Sequence, residues 1–159
     1  MRRSIYPFLA ALCLCVFAVG VPLRSFAAST VQMPPIENKP FAKHHIVLQL
    51  SDRDPFKQTL VLNVAKNLAN YYGPDNVDIE IVAFGPGLKL LLADNVNKGR
   101  IANLVASDDI RFSACNNTLH AFTKKLGYKP KLNPHAVVVP AGAARIIDLE
   151  QHGYTLIKP

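Results

Sequence analysis

Five short apolar runs, separated by stretches with helical spacing, constrain the fold of this 159-residue chain most strongly. The runs are rich in Ile, Val and Ala and occupy residues 46–50, 78–84, 110–114, 136–139 and 154–157. Because β-branched residues suit a buried pleated surface, each run predicts a strand. Strands that alternate with helices indicate an α/β sandwich with a mostly parallel sheet. Right-handed crossovers would place helices on both faces of that sheet.

The first helix has the clearest boundaries in the sequence. The segment 51–55 supplies capping side chains and a proline, and an apolar face runs from Phe56 to Tyr72 before Gly73 and Pro74. Such residues are typical of a helix start and a helix end. Further helical patterns are predicted over residues 88–92, 101–105, 115–126 and 142–152.

The N-terminal segment has the pattern of a secretory signal peptide. Arg2 and Arg3 precede an apolar run over residues 5–21, and small residues surround Ala27 and Ala28. These features correspond to the basic region, the apolar region and the cleavage site of a signal peptide. Residues 1–27 are therefore predicted to be removed, with cleavage after Ala27 or Ala28.

An uncleaved membrane anchor is the alternative for this segment. The apolar run is shorter than the ~20 residues that a spanning helix needs, and Pro7 and Pro22 flank it. We therefore expect a periplasmic or secreted protein with no stable membrane anchor after cleavage. Residues 28–43 contain three prolines and no apolar period, which predicts a flexible lead-in to a domain spanning residues 44–159.

Removal of the signal segment changes the charge and the cysteine count. The segment contains three arginines and no acidic residue, so the formal charge falls from +7 to +4. It also contains two of the three cysteines, which leaves Cys115. A single cysteine in an exported protein implies a buried inert thiol, an intermolecular disulfide or a reactive thiol.

Cys115 follows the third predicted strand and precedes a helix. Free N–H groups and the helix dipole stabilise a thiolate at such a position and lower its pKa. However, Cys115 also begins an apolar stripe with Leu119, Phe122 and Leu126, and a free cysteine behaves as a small buried hydrophobe. The spacing alone leaves both interpretations open.

The carboxyl ends of parallel strands meet at one edge of a sheet, which is where α/β proteins bind ligands. The candidate binding residues at these ends are Asp52, Arg53, Gly85, Gly87, Asn116, Asn117 and Thr118. Helix capping and a solvated charge are the default roles of the first two, and a plain turn is the favoured explanation of the glycines.

Other kinds of site find little support. His44 and His45 are adjacent, so on a strand they point to opposite faces and form a poor metal-binding pair. The lysines near residues 124–131 lie around a predicted helix C-terminus without interleaved aromatic residues. We therefore predict no metal site and no nucleic-acid partner.

Taken in order, the motifs of the chain resemble the DsrE/DsrF-like family from about residue 45 to residue 159. The segments that carry the resemblance are Gln-Leu-Ser at 49–51, Ile-Val-Ala-Phe-Gly-Pro-Gly-Leu at 81–88, Phe-Ser-Ala-Cys-Asn-Asn-Thr-Leu at 112–119, Val-Pro-Ala-Gly at 139–142 and Gln-His-Gly-Tyr at 151–154. The resemblance implies a three-layer α/β/α fold with a five-stranded parallel sheet. It also implies homo-trimers or hexamers, or mixed hexamers with related subunits.

In members of this family that serve sulfur oxidation and tRNA thiolation, a cysteine carries a persulfide between donor and acceptor proteins. Cys115 occupies the matching place, so the resemblance implies a sulfur carrier that is at most sulfurtransferase-like and needs no cofactor. Those members are cytoplasmic, whereas this chain has a predicted signal peptide, which argues against tRNA thiolation. The alternatives are a non-catalytic oligomeric binding or scaffold module with a buried Cys115, or a redox-sensing thiol.

Overall fold

The structure is a computed structural model that describes residues 31–159. The predicted signal peptide and residues 28–30 of the lead-in lie outside the described residues. Within residues 31–159, no helix has both the length and the hydropathy required to cross a membrane.

Within the described residues, five strands form a single sheet. They are β1 (His44–Leu50), β2 (Val77–Ala83), β3 (Arg111–Cys115), β4 (Ala136–Val139) and β5 (Thr155–Ile157). The strand order is β4-β3-β2-β1-β5, and every neighbouring pair is parallel. The predicted α/β class is therefore confirmed, and the sheet is parallel throughout.

Four α-helices and one 3-10 helix connect the strands. They are α1 (Pro55–Tyr72), the 3-10 helix Gly85–Leu91, α2 (Lys98–Asp108), α3 (Asn116–Leu126) and α4 (Gly142–Gln151). The carboxylate of Asp54 accepts a hydrogen bond from the backbone N–H of Phe56, which is the capping interaction expected at the start of α1.

Helices cover both faces of the sheet, which gives a three-layer α/β/α sandwich. The two faces bury apolar cores of different size. On one face α1, α2, α3 and the 3-10 helix bury a large apolar core that includes Leu48, Ile81 and Phe112. On the other face α4 packs on a smaller apolar cluster, which includes Val47 and Val82. Charged side chains occupy much of the rest of the α4 face.

Residues 34–39, which we call the strap, lie along the α4 face. The carbonyl oxygens of Pro34 and Glu37 accept hydrogen bonds from arginine side chains at 2.8 and 2.6 Å. The backbone N–H of Lys39 donates to a carboxylate oxygen of Asp78 at 3.1 Å. Part of the proline-rich lead-in is thus hydrogen-bonded to the domain through contacts that its composition does not reveal.

Candidate thiol site

Cys115 is the last residue of β3 and the capping residue of α3, so no loop separates the strand from the helix. Only 5% of its surface is exposed. Its side chain lies on the α4 face of the sheet, since it follows Arg111 and Ser113 at two-residue intervals along β3. The thiol is thus buried beside the start of α3.

Four hydrogen-bond donors lie around the Cys115 thiol and lower its pKa. They are the hydroxyl of Thr118 and the backbone N–H groups of Asn117, Thr118 and Gly142. Burial by itself raises the pKa of the Cys115 thiol, but these donors outweigh burial and lower the pKa below that of an ordinary cysteine. The donors therefore stabilise the thiolate more than in an ordinary cysteine, although the sulfur is nearly inaccessible to water.

The hydroxyl of Thr118 is oriented by the turn that follows β2. The backbone N–H of Gly85 donates a hydrogen bond to Thr118 Oγ1 at 2.8 Å, which leaves the hydroxyl proton free to point toward the sulfur of Cys115. Gly85 has a φ of +52°, a conformation that a residue with a Cβ rarely adopts. The glycine thus permits the turn that positions Thr118.

The N-terminus of α4 also lies beside Cys115, where it contributes the backbone N–H of Gly142. A Cβ at Gly142 would lie 2.9 Å from the Cβ of Phe84, so only glycine allows this close approach. The backbone N–H of Asn117 also donates to the carbonyl oxygen of Pro140 at 3.3 Å, which joins the β4–α4 connection to the start of α3. Two helix N-termini therefore meet at Cys115.

The structure brings together only some of the predicted site residues. Asn116 is half-buried, and its backbone N–H is not among the donors to the sulfur. Gly87 lies in the 3-10 helix, and its N–H donates to the carbonyl oxygen of Phe84 at 3.1 Å. The N–H groups of Gly85 and Gly87 are therefore both used within the protein, as expected for a turn and not for an anion-binding loop.

Asp52 and Arg53 lie apart from the thiol. Both are exposed in the turn after β1, a strand two positions from β3 and thus about 10 Å away across the sheet. The Asp52 carboxylate accepts a hydrogen bond from the backbone N–H of Asp54 at 2.9 Å, and the Arg53 carbonyl accepts one from Gln58 at 3.0 Å. These are local turn contacts that prepare the start of α1.

A buried ionic network on the α4 face is not identified by the local sequence patterns. Arg145 of α4 donates two hydrogen bonds to Glu80 of β2, from Nε to Oε1 at 2.7 Å and from Nη2 to Oε2 at 2.8 Å. The hydroxyl of Ser113 donates to Glu80 Oε1 at 2.6 Å. The carboxylate is fully buried, and its two oxygens accept all three of these hydrogen bonds.

A second part of the network is centred on Asp78. Arg111 Nη2 lies 2.8 Å from Asp78 Oδ1, and the hydroxyl of Tyr154 donates to Asp78 Oδ2 at 2.8 Å. Arg111 Nη2 also donates to the Tyr154 oxygen at 2.7 Å. Burial raises the pKa of Tyr154, the positive charge of Arg111 lowers it, and the hydrogen bond to Asp78 raises it further, so the net shift is upward.

A sequence signal for this network does exist. Asp78 and Glu80 alternate with isoleucines inside a strand that is buried along its whole length. Two carboxylates on one face of a buried strand require cationic partners, because an unpaired buried charge is very unfavourable. The pattern predicts that buried cationic side chains pair with these carboxylates, but it does not identify them.

No group of three or more histidine, cysteine or acidic side chains suited to a metal ion occurs within residues 31–159. Around Cys115, the structure places a thiol and the donors described above. A thiolate stabilised in this way is suited to nucleophilic attack on another sulfur atom.

Comparisons with known proteins bear on the fold. A scan against protein-family models and a search of curated proteins each gave no match. Among solved structures, a protein of unknown function from Methanobacterium thermoautotrophicum is similar, with a TM-score of 0.65 and 27% sequence identity. The match covers 73% of this chain and 99% of that chain. This chain therefore has the same architecture as that archaeal protein over nearly all of the latter's length.

Proposed function

We propose that this protein is a sulfur carrier in which Cys115 accepts and passes on sulfane sulfur as a persulfide. The observation that carries the proposal is the set of four hydrogen-bond donors that favour the Cys115 thiolate. The resemblance of segments 81–88 and 112–119 to the DsrE/DsrF-like family supports the same role for this cysteine.

The proposed reaction is an exchange between sulfur atoms. The Cys115 thiolate attacks the terminal sulfur of a donor persulfide, the S–S bond of the donor breaks, and the bonding electron pair leaves with the donor thiolate. The donor is then a thiolate and Cys115 is a persulfide. Attack by an acceptor thiolate on the outer sulfur returns Cys115 to its starting state, so the cycle needs no external oxidant and no cofactor.

Intact-mass analysis after incubation with a small-molecule persulfide or with polysulfide tests this proposal. We expect one adduct of about 32 Da, the mass of one sulfur atom, that a reductant removes. The Cys115→Ser variant should give no adduct in the mature protein. Absence of the adduct from the wild-type protein, or its survival in Cys115→Ser, would contradict the proposal.

A non-catalytic binding or scaffold module is the second candidate, and the 5% exposure of Cys115 favours it. That role predicts that alkylating reagents modify Cys115 only after unfolding. The sulfur-carrier proposal predicts modification of the native protein at neutral pH. A Cys115–Cys115 disulfide on non-reducing gels would instead point to a redox-sensing thiol.

The proposed carrier is exported and oligomeric, and it exchanges sulfur with donor and acceptor proteins. The basic and apolar pattern of residues 1–27 supports export to the periplasm or beyond. Exposed apolar side chains on the α4 side of the sheet, Val137 and Ile147, support a homo-trimer, a hexamer or an assembly with related subunits. N-terminal sequencing of the protein recovered outside the cytoplasm and light scattering of the purified protein test these two points.

A further inference from the structure

We propose that the ion pair between Arg145 and Glu80 positions the N-terminus of α4 so that the backbone N–H of Gly142 reaches the sulfur of Cys115. Arg145 and Glu80 do not touch the thiol and act through the helix, so they are positioning residues. The inference rests on the proposed role of Cys115 as a nucleophile and adds the elements that set its reactivity.

Glu80 belongs to the rigid sheet, whereas Arg145 belongs to the helix that the ion pair holds in place. Glu80 lies in the middle of β2, between β1 and β3, and is fully buried. Arg145 is 3% exposed and approaches both carboxylate oxygens in a bidentate arrangement. Because a bidentate guanidinium–carboxylate contact fixes orientation as well as distance, the pair holds the first turns of α4 at one height above the sheet.

Arg145 and Gly142 lie three residues apart on α4 and therefore share one face of the helix. The backbone N–H of Arg145 donates to the carbonyl oxygen of Ala141 at 3.0 Å, which closes the first turn of the helix. A displacement of Arg145 is thus transmitted directly to Gly142. The contact of Gly142 with Phe84 leaves little room for compensation toward β2.

The first three residues of α4 contribute few apolar contacts to the sheet. The residues of α4 that join the apolar cluster begin with Ile146, which directly follows Arg145, and include Leu149. Ala143 is exposed and Ala144 is only half-buried, so the first turn buries little apolar surface. Arg145 is the first long side chain of α4, and its hydrogen bonds to Glu80 connect this turn to the sheet.

Charged and titratable groups of the neighbouring set around Asp78 also lie on the α4 face. They are His45 of β1, Arg111 of β3 and Tyr154, which follows α4. Arg111 links the two sets, because its Nε lies 3.5 Å from Glu80 Oε2. Glu80→Gln therefore removes one of the two carboxylates beside Arg111, which keeps its ion pair with Asp78.

The experiment is the pH profile of alkylation at Cys115 in the full chain, followed by mass spectrometry of the peptide that contains it. The double variant Glu80→Gln/Arg145→Met removes both charges, so no unpaired charge stays buried. We expect its profile to move to higher pH, with an alkylation rate near neutral pH that falls by about threefold to tenfold. Arg145→Lys, which keeps the charge and loses the bidentate contact, should lie between the double variant and the wild type.

A matched control is available on the other face of the sheet. Lys66 of α1 binds both oxygens of the buried Asp108 of α2 at 2.9 Å, far from α4. Lys66→Met/Asp108→Asn also removes an ion pair that a helix makes with a buried carboxylate, although the lysine is partly exposed. Its alkylation profile should follow that of the wild type.

Three results would overturn the inference. A folded double variant with a wild-type profile would do so, and so would an equal shift in the Lys66/Asp108 control. If the double variant does not fold, a wild-type profile in Arg145→Lys has the same meaning. Because the readout is thiol reactivity, a protein that forms no persulfide but shows the expected shifts would reject the proposed function and retain the positioning role.

Discussion

The backbone nitrogen of Gly85 lies 2.8 Å from Thr118 Oγ1, and this hydrogen bond joins the turn after β2 to the first turn of α3. The hydroxyl oxygen accepts the Gly85 proton, so its own proton is available to the sulfur of Cys115. A threonine hydroxyl that accepts from one side is a better donor on the other side, since hydrogen bonds in a chain polarise one another. The Gly85 turn thereby influences a thiol that it does not contact.

Thr118→Val should raise the pKa of the Cys115 thiol, because it removes a hydroxyl donor that lowers this pKa. We expect the rate of alkylation at neutral pH to fall by about threefold to tenfold. Thr118→Ser keeps the hydroxyl and should preserve most of the rate. The measurement is the rate of iodoacetamide modification as a function of pH, and equal rates in all three proteins would exclude a role for the hydroxyl.

Gly87→Ala should lower the free energy of unfolding strongly. A Cβ at this position would lie 2.3 Å from the carbonyl oxygen of Leu50, and a backbone atom cannot rotate away. The expected loss is at least about 2 kcal/mol. Gly99→Ala is the matched control, since a Cβ there meets no atom within 4 Å and alanine favours the helix by up to about 1 kcal/mol. Urea unfolding monitored by circular dichroism measures both changes.

Removal of the strap should lower stability, because Arg145, Arg111 and Asp78 each lose a hydrogen bond to its backbone. A chain that begins at residue 40 should lose about 1 to 3 kcal/mol relative to a chain that begins at residue 32, since water replaces only part of these contacts. Denaturant unfolding of the two truncated chains gives the difference. Equal free energies of unfolding would mean that the strap contributes nothing to the domain.

Tyr154→Phe should make the protein less sensitive to alkaline pH. The pKa of Tyr154 is raised in the folded state, so above a pH of about 10 the unfolded chain releases a proton that the folded protein keeps. The free energy of unfolding of the wild type therefore falls as pH rises, by up to about 1.4 kcal/mol per pH unit from this group. The variant lacks this contribution. Because the variant also loses the hydrogen bonds of Tyr154 at every pH, the comparison concerns the slope of the free energy with pH.

Tyr128→Phe provides the control for that experiment, since Tyr128 is largely exposed. Its free energy of unfolding should follow the wild type between a pH of about 8 and about 11. If Tyr154→Phe and the wild type have parallel slopes over this range, the phenol of Tyr154 titrates alike in both states and the prediction is wrong.

The amino-acid sequence determined the secondary structure and the class of the fold. The helix from Pro55 to Tyr72 and the strand from Ala136 to Val139 follow from apolar spacing and from glycine and proline at their ends, which are local properties. Short apolar strands that alternate with helices leave a parallel sheet as the natural arrangement. The position of Cys115 between β3 and α3 is a consequence of the same local pattern.

Only the tertiary structure decided what surrounds the thiol. Gly142 and Gly85 come from separate connections, and Glu80 and Arg145 are 65 residues apart in the chain. No local preference encodes such pairings, because each depends on the order of the strands and on the height of α4 above the sheet. The sequence therefore predicted a cysteine at the start of a helix, whereas the packing of two helix N-termini determined the donors that lower its pKa.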